Sequence, residues 1–214
     1  MGNNSNEHST QGNAKFKAVF FDMGGVVIRY KSPEIIQNLM KSAATNIELK
    51  SAVENYELGL SSIEETKHLI EEFFILEDAQ NLEEAIVENF MGDKDQNIAK
   101  AIDIIRENGL KTGLLTNNGF WTKERTKSTI IADTSMFDIV LESCRLGIRK
   151  PDPTFYQMAA DKLGLDCSEC IFLDDLASNC KGAETTGMMA IQVANGDSRT
   201  AVEHLGRLLD MKLI

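Results

Sequence analysis

Four polar clusters in this sequence each follow a short apolar run. Asp22 closes the run 16–21 (FKAVFF), and Thr116, Asn117 and Asn118 follow the run 111–115. Arg149 and Lys150 stand before Pro151, downstream of the run 138–141, and Asp174 and Asp175 follow the run 170–173. A carboxylate serves as nucleophile or metal ligand, a hydroxyl and amides bind anionic oxygens, and a lysine offsets charge that builds during reaction. Each piece alone also has an ordinary reading, since Asp at a strand end caps helices and turns and Lys150 before a proline suits a solvated loop. Asp174 and Asp175 are different, because adjacent acids repel unless a cation or a basic group compensates them. Lys150 or a divalent metal ion meets that need. Together the clusters hold the components of a carboxylate, metal and phosphate site.

These residues meet only if the apolar runs lie side by side. Short, non-alternating runs rich in aromatic and β-branched residues fit strands buried on both faces, and 188–193 adds a fifth. Helical periodicity occupies 98–107, stopped by Gly109, and then 153–163, 177–186 and 198–211. The alternation implies an α/β fold, a Rossmann-like parallel sheet with helices on both faces, whose ligand crevice lies at the carboxyl ends of its strands. Between the first strand and this alternation, 32–89 reads as three or four amphipathic helices, with Pro33 at a helix start. The expected organisation is a core of 15–31 and 92–214, a small helical cap of 32–91 inserted after the first strand, and a tail of 1–14 too polar to join a core and expected to be disordered.

A chain of 214 residues, 43% hydrophobic and 26% charged, is long enough to bury one sizeable core. A net charge of -11 and a pI near 4.8 argue against nucleic acid as a partner, because duplex binding draws on clustered Lys and Arg. Small anions are not excluded, since local positive charge or a metal overrides the global field inside a cleft. No apolar run approaches the ~20 residues that cross a bilayer, and the polar start MGNNSNEHST lacks a secretory segment. The expectation is a cytoplasmic protein with no membrane partner; nothing in the sequence sets an oligomeric state. Gly2 invites myristoylation, but Asn6 stands where that site takes Ser or Thr. The four cysteines begin only at Cys144, unlike a disulfide framework, and the C-x-x-C of Cys167 and Cys170 lacks the second pair or the neighbouring His of a zinc site.

The segments FFDMGGV (20–26), LLTNN (114–118), GIRKPDP (147–153) and IFLDDLASN (171–179) resemble, in order, the four motifs of the haloacid dehalogenase superfamily, over about residues 16–195. Their phrasing, with the cap stretch NYELGLSSIEE (55–65), is similar to the phosphatase-like N-terminal domain of soluble epoxide hydrolase and to the related domain fused to some acyl-CoA dehydrogenases. The resemblance implies a Mg²⁺-dependent hydrolase of small phosphorylated molecules, with Asp22 as nucleophile. It implies metal ligands in Asp22, the main-chain carbonyl of Gly24 and Asp175, with Asp174 supporting the metal or holding Lys150. Thr116 and the backbone amide of Asn117 would bind phosphate, Lys150 would offset charge on nucleophile and phosphoryl group, and Asn179 would steady the acidic loop. Read from the residues themselves, Tyr56, Glu57 and Gly59 lie either on a cap loop facing the site or on a helix surface followed by a turn glycine.

One position departs from that pattern. Phosphatases of this superfamily usually carry a second Asp two residues after the nucleophile, to protonate the leaving oxygen, and here Gly24 stands there. Three readings follow: a phosphatase that moves the proton by other means, a dehalogenase-type hydrolase whose halide needs no proton, or a silent binding domain. The second would want an arginine soon after the first motif and an aromatic cradle, for which Arg29 and Trp121 are the candidates; the paired acids, which suggest metal, rank the phosphatase first. A receiver domain also combines paired acids, Thr and Lys, but its acids come early, whereas these come last.

Overall fold

The computed structural model describes residues 15–73, 82–89 and 91–214; the expected tail and Gly2 lie outside the described residues. In chain order the strands are β1 (Ala18–Phe21), β2 (Ile28–Tyr30), β3 (Met91–Lys94), β4 (Lys111–Thr116), β5 (Ile139–Glu142), β6 (Cys170–Asp174) and β7 (Met189–Gln192). The helices are α1 (Pro33–Thr45), α2 (Ile47–Glu57), α3 (Ile63–Ile70), α4 (Leu82–Asn89), α5 (Gln96–Glu107), α6 (Ser143–Leu146), α7 (Pro153–Lys162), α8 (Ala177–Glu184) and α9 (Ser198–Leu209).

Five strands form one parallel sheet in the order β5-β4-β1-β6-β7. The continuous apolar runs have the reason expected of them, because both faces are covered. Val19, Phe21, Leu114, Ile171 and Leu173 pack on one face against Ile98, Ile102 and Ile105 of α5 and Val202 and Leu205 of α9. Phe20, Leu115, Leu141 and Phe172 pack on the other against Phe155, Tyr156 and Ala159 of α7 and Ala183 of α8. The α/β class and the five runs therefore stand as expected, with ends shifted by a residue or two.

Local chemistry sets the helix ends. Pro33 takes the first turn of α1, Asn46 caps α2 by accepting from the amides of Glu48 and Leu49, and Ser62 with Glu65 forms a reciprocal capping box on α3. Gly109, at φ +80°, follows α5 in a conformation that suits glycine. Among the described residues, four α-helices, α1 to α4, lie between β2 and β3, where three or four were expected. The pairing of β2 with β3 as an antiparallel ribbon was not expected, since strands of three and four residues that include Arg29, Gly92 and Asp93 carry no readable period.

Asp95 ties this ribbon to the core. It is 2% exposed, its Oδ1 accepts from the amides of Asn97 (2.9 Å) and Ile98 (3.1 Å) to cap α5, and its Oδ2 accepts from Arg29 Nε at 2.6 Å. Burial opposes its charge, but the Ile98 amide, the Ser198 hydroxyl and Arg29 outweigh it and hold the carboxyl below its ordinary range. A carboxyl depressed on folding adds stability above its unfolded value of about 3.9 and loses it as pH falls. Asp95→Ala is expected to cost about 1–2 kcal/mol at pH 7, read as a lower urea midpoint, with the gap to the parent chain narrowing as the pH is taken below 4.

Candidate active site

Strand order reverses at β1: the chain extends through β4 to β5 on one side and through β6 to β7 on the other. Such a switch point opens a crevice at the carboxyl ends of the strands, and Asp22 is the first residue past β1. Phe21 pairs with Leu114 and with Leu173, and the Asp22 amide donates to the Leu173 carbonyl at 2.9 Å. The next step of the register sets Asp22 beside the end of β6, where Asp174 closes the strand and Asp175 follows.

Lys150 occupies the space between them. It is 1% exposed, and its Nζ donates to the Leu115 carbonyl at 2.8 Å and to Asp174 Oδ2 at 2.7 Å, and meets Asp22 Oδ1 at 2.8 Å. Burial disfavours its charge, yet the two carboxylates hold its pKa above the ordinary value. Asn117 fixes the backbone at this point: its side chain accepts from the Lys150 amide and donates to the Lys150 carbonyl, both at 2.9 Å. The asparagine expected to offer its backbone amide to phosphate thus has a second duty that spacing could not reveal, because the partners lie 33 residues apart.

Asp174 is fully buried and already saturated. Besides Lys150, its oxygens accept from the Leu176 amide at 2.8 Å and from Asn179 Nδ2 at 3.0 and 3.1 Å. Of the two roles expected for it, the geometry favours holding Lys150 over ligating a metal, and Asn179 steadies this carboxylate directly. Asp175 is only partly buried and faces the cavity. One carboxylate oxygen from each of Asp22, Asp174 and Asp175 lies within 4.8 Å of the others. Burial, with Asp174 and Asp175 adding to it against Lys150, pushes Asp22 up to about 8; burial and Asp174, again against Lys150, push Asp175 up to about 7. When ionised, three carboxylates facing one ammonium leave two negative charges, and oxygen donors with that excess suit a hard divalent cation.

Thr116, 1% exposed, ends β4 and joins Asp22, Gly24, Asn117, Lys150 and Asp175 around one cavity of about 300 Å³. The cap supplies the opposite wall, largely apolar, with Ile36, Leu39, Val53, Ile63 and Ile70. Tyr56 and Glu57 also face the cavity, from the last turn of α2, the helical of the two placements expected. The Tyr56 hydroxyl meets Thr129 Oγ1 at 2.7 Å, and Glu57 forms a partly buried ion pair with Arg149, the neighbour of Lys150. Gly59 faces elsewhere: at φ +72° a Cβ there would stand 2.1 Å from the Cys144 carbonyl, so this glycine lets the cap touch the core. Trp121 lines the cavity, whereas Arg29 is exposed and pairs with the buried Asp95. All four cysteines are free and buried; the thiols of Cys167 and Cys170 turn to Gln157 Oε1 and the Asp166 carbonyl.

The residue that sequence reasoning missed is Tyr30. It lines the cavity from the end of β2, and a Cβ at Gly24 would stand 2.3 Å from its hydroxyl and 2.9 Å from its Cζ. Burial, then Asp175, Asp22, Asp174 and Glu57, hold its pKa well above the ordinary value. Only the unexpected ribbon of β2 and β3 brings it there, so no local pattern could have named it.

The family model for haloacid dehalogenase-like hydrolase matches residues 16–187. Acyl-CoA dehydrogenase family member 10 of Mus musculus is 33% identical over 94% of this chain and 20% of its own length. Phosphatase MT3486 of Mycobacterium tuberculosis is 38% identical over 51% of this chain and 53% of its own. Bifunctional epoxide hydrolase 2 of Rattus norvegicus is 33% identical over 51% of this chain and 20% of its own. The chain thus spans between a fifth and about half of these relatives. Among solved structures, the magnesium complex of a haloacid dehalogenase family enzyme from Bacteroides thetaiotaomicron shares the fold, with a TM-score of 0.63 and 23% identity, over 90% of this chain and 99% of that one.

The contact between Gly24 and Tyr30 yields a prediction. Gly24→Asp must displace a packed phenol, so it is expected to destabilise the protein by about 1–3 kcal/mol and to bring no gain in activity. In a Tyr30→Ala background the same Gly24→Asp change is expected to cost markedly less, because the clash is gone, and thermal melts of both single variants and the double variant check both statements.

Proposed function

This chain belongs to the haloacid dehalogenase-like hydrolases, and from that premise we propose that it is a phosphatase of small phosphorylated molecules, acting through an aspartyl-phosphate on Asp22 with Mg²⁺ as cofactor. One observation carries the reading: the carboxylate of Asp22 is pinned by buried Lys150 on the floor of a cavity that also holds Thr116 and Asp175. The relatives named as phosphatases and the magnesium complex of a protein with this fold support it.

The Met23 amide donates to Asp22 Oδ1 at 2.7 Å, and Lys150 reaches the same oxygen at 2.8 Å, so attack on phosphorus is assigned to Oδ2. Thr116 and the Asn117 amide bind phosphoryl oxygens, and Lys150 offsets charge on both the nucleophile and the group in transit. The bond from phosphorus to the leaving oxygen breaks as the bond to Asp22 forms, and water then cleaves the aspartyl-phosphate, which divides one hard step into two easier ones. Bound by Asp22, the Gly24 carbonyl and Asp175, the cation would supply charge neutralisation between carboxylates and phosphate. Apolar cap walls exclude water from this chemistry and suit a substrate with an apolar body. Met40, Val87 and Leu176, which are exposed, continue the apolar lining toward solvent. A dehalogenase-type reading loses support from Arg29, which lines no part of the cavity and pairs with Asp95.

Hydrolysis of p-nitrophenyl phosphate is expected to require Mg²⁺, and Asp22→Asn is expected to lower kcat by about 10⁴-fold or more while the far-UV spectrum stays unchanged. Equal turnover by the variant would remove Asp22 as nucleophile; no turnover by the parent chain with Mg²⁺ would favour a silent binding domain. Asp175→Asn is expected to raise the Mg²⁺ concentration for half-maximal activity by about 10- to 100-fold, measured by metal titration of the same assay.

A further inference from the structure

Resting on the phosphatase reading, we infer that the hydroxyl of Tyr30 is the hydrogen-bond donor that meets the leaving-group oxygen. Phosphoryl transfer places the attacking and leaving oxygens roughly in line on opposite sides of phosphorus. Asp22 attacks from the floor, so the leaving oxygen points away from the sheet, toward the wall where the chain passes into the cap. Tyr30 is at that passage, the last residue of β2, and its side chain lines the cavity. Its hydroxyl comes so near the nucleophile's loop that a Cβ at Gly24, two residues after Asp22, would stand 2.3 Å from it. A side chain at position 24 and the phenol of Tyr30 therefore exclude each other, and in this chain the volume beside Gly24 is held by the phenolic oxygen.

The donor is also held in place. The ring packs with Ile63, Ile86 and Trp121 in the cluster that joins cap to core, so reaching the leaving oxygen calls for little ordering of the side chain. In the step proposed, Asp22 Oδ2 bonds to phosphorus, the leaving oxygen keeps the electron pair of the broken bond, and the Tyr30 O–H donates a hydrogen bond to it. One water is consumed overall: its proton ends on the released alcohol and its hydroxyl on phosphate, and Tyr30 keeps its own proton.

Such a donor matters most where the leaving oxygen is most basic. The test compares Tyr30→Phe with the parent chain, both with Mg²⁺, on p-nitrophenyl phosphate and on 2-phenylethyl phosphate, whose alkoxide is far more basic. Removing one donor to a developing oxyanion costs about 10²- to 10³-fold in kcat. The expected result is a loss of that order on the alkyl ester that exceeds the loss on the aryl ester at least about tenfold. Equal losses on the two esters would mark a structural role and overturn the inference, as would no loss on either. A parent chain that cleaves only the aryl ester would overturn it while leaving the phosphatase reading in place; one that cleaves neither would overturn both. The thermal midpoint of Tyr30→Phe, expected within a few degrees of the parent's, separates chemistry from unfolding.

Discussion

Taking an ammonium out of water costs several kcal/mol, and the cost is recovered only where opposite charge and hydrogen bonds meet it in good geometry. Lys150 is buried with its three donor directions answered by Leu115, Asp174 and Asp22. Those partners come from three adjacent strands, β4, β6 and β1, so the strands must end at one height. The parallel register provides this, pairing Phe21 with Leu114 and Leu173. Asn117 clamps the lysine's own peptide, and Asn179, from the first turn of α8, holds the far side of Asp174. Sheet register, two loops and a helix start thus converge on one buried charge, and the orientation of Asp22 follows from it.

The cap is bound to the same point. Tyr56 lies where a side chain on Gly119 would be, with a Cβ there only 2.1 Å from its ring, and Arg125 donates to the carbonyls of Gly59 and Leu60 at 2.9 and 2.6 Å. Gly119 follows directly after Asn117 and Asn118, and Arg149, the partner of Glu57, directly precedes Lys150. The two core segments that carry the polar floor are therefore the segments that the cap grips. A shift of the cap would act on the backbone that positions Asn117 and Lys150, which gives a physical route from cap closure to site geometry.

Much of the core was legible because its signals are local. A strand buried on both faces is a run of apolar residues, and the polar residue that ends it is visible beside it; Asp22, Thr116 and Asp174 were found in that way. Other features depend on partners distant in sequence. The bond from Asn117 to Lys150, the ion pair of Arg149 with Glu57 and the approach of Tyr30 to Gly24 each join segments whose proximity only the folded chain sets. Asp174 illustrates the middle case: its acidity next to Asp175 was plain, but its bond to Lys150 and the donors from Leu176 and Asn179 that surround it depend on the fold.

Electrostatics links the remaining parts. With all three carboxylates ionised, the site carries two uncompensated negative charges on a chain whose net charge is -11, and a phosphate monoester brings about two more at neutral pH. The ester alone would meet repulsion from Asp22 and Asp175, across a cavity whose apolar cap wall lowers the local dielectric and strengthens that repulsion. Lys150 relieves only part of it, because its charge is shared with Asp22 and Asp174. On the phosphatase reading, cation and ester therefore bind as coupled partners, each raising the affinity of the other by the same factor, as linkage requires. The apolar wall then serves both: it disfavours either ion alone and favours the neutralised pair, so the surroundings that make Asp22 costly to ionise without a cation also select the assembly in which it can react.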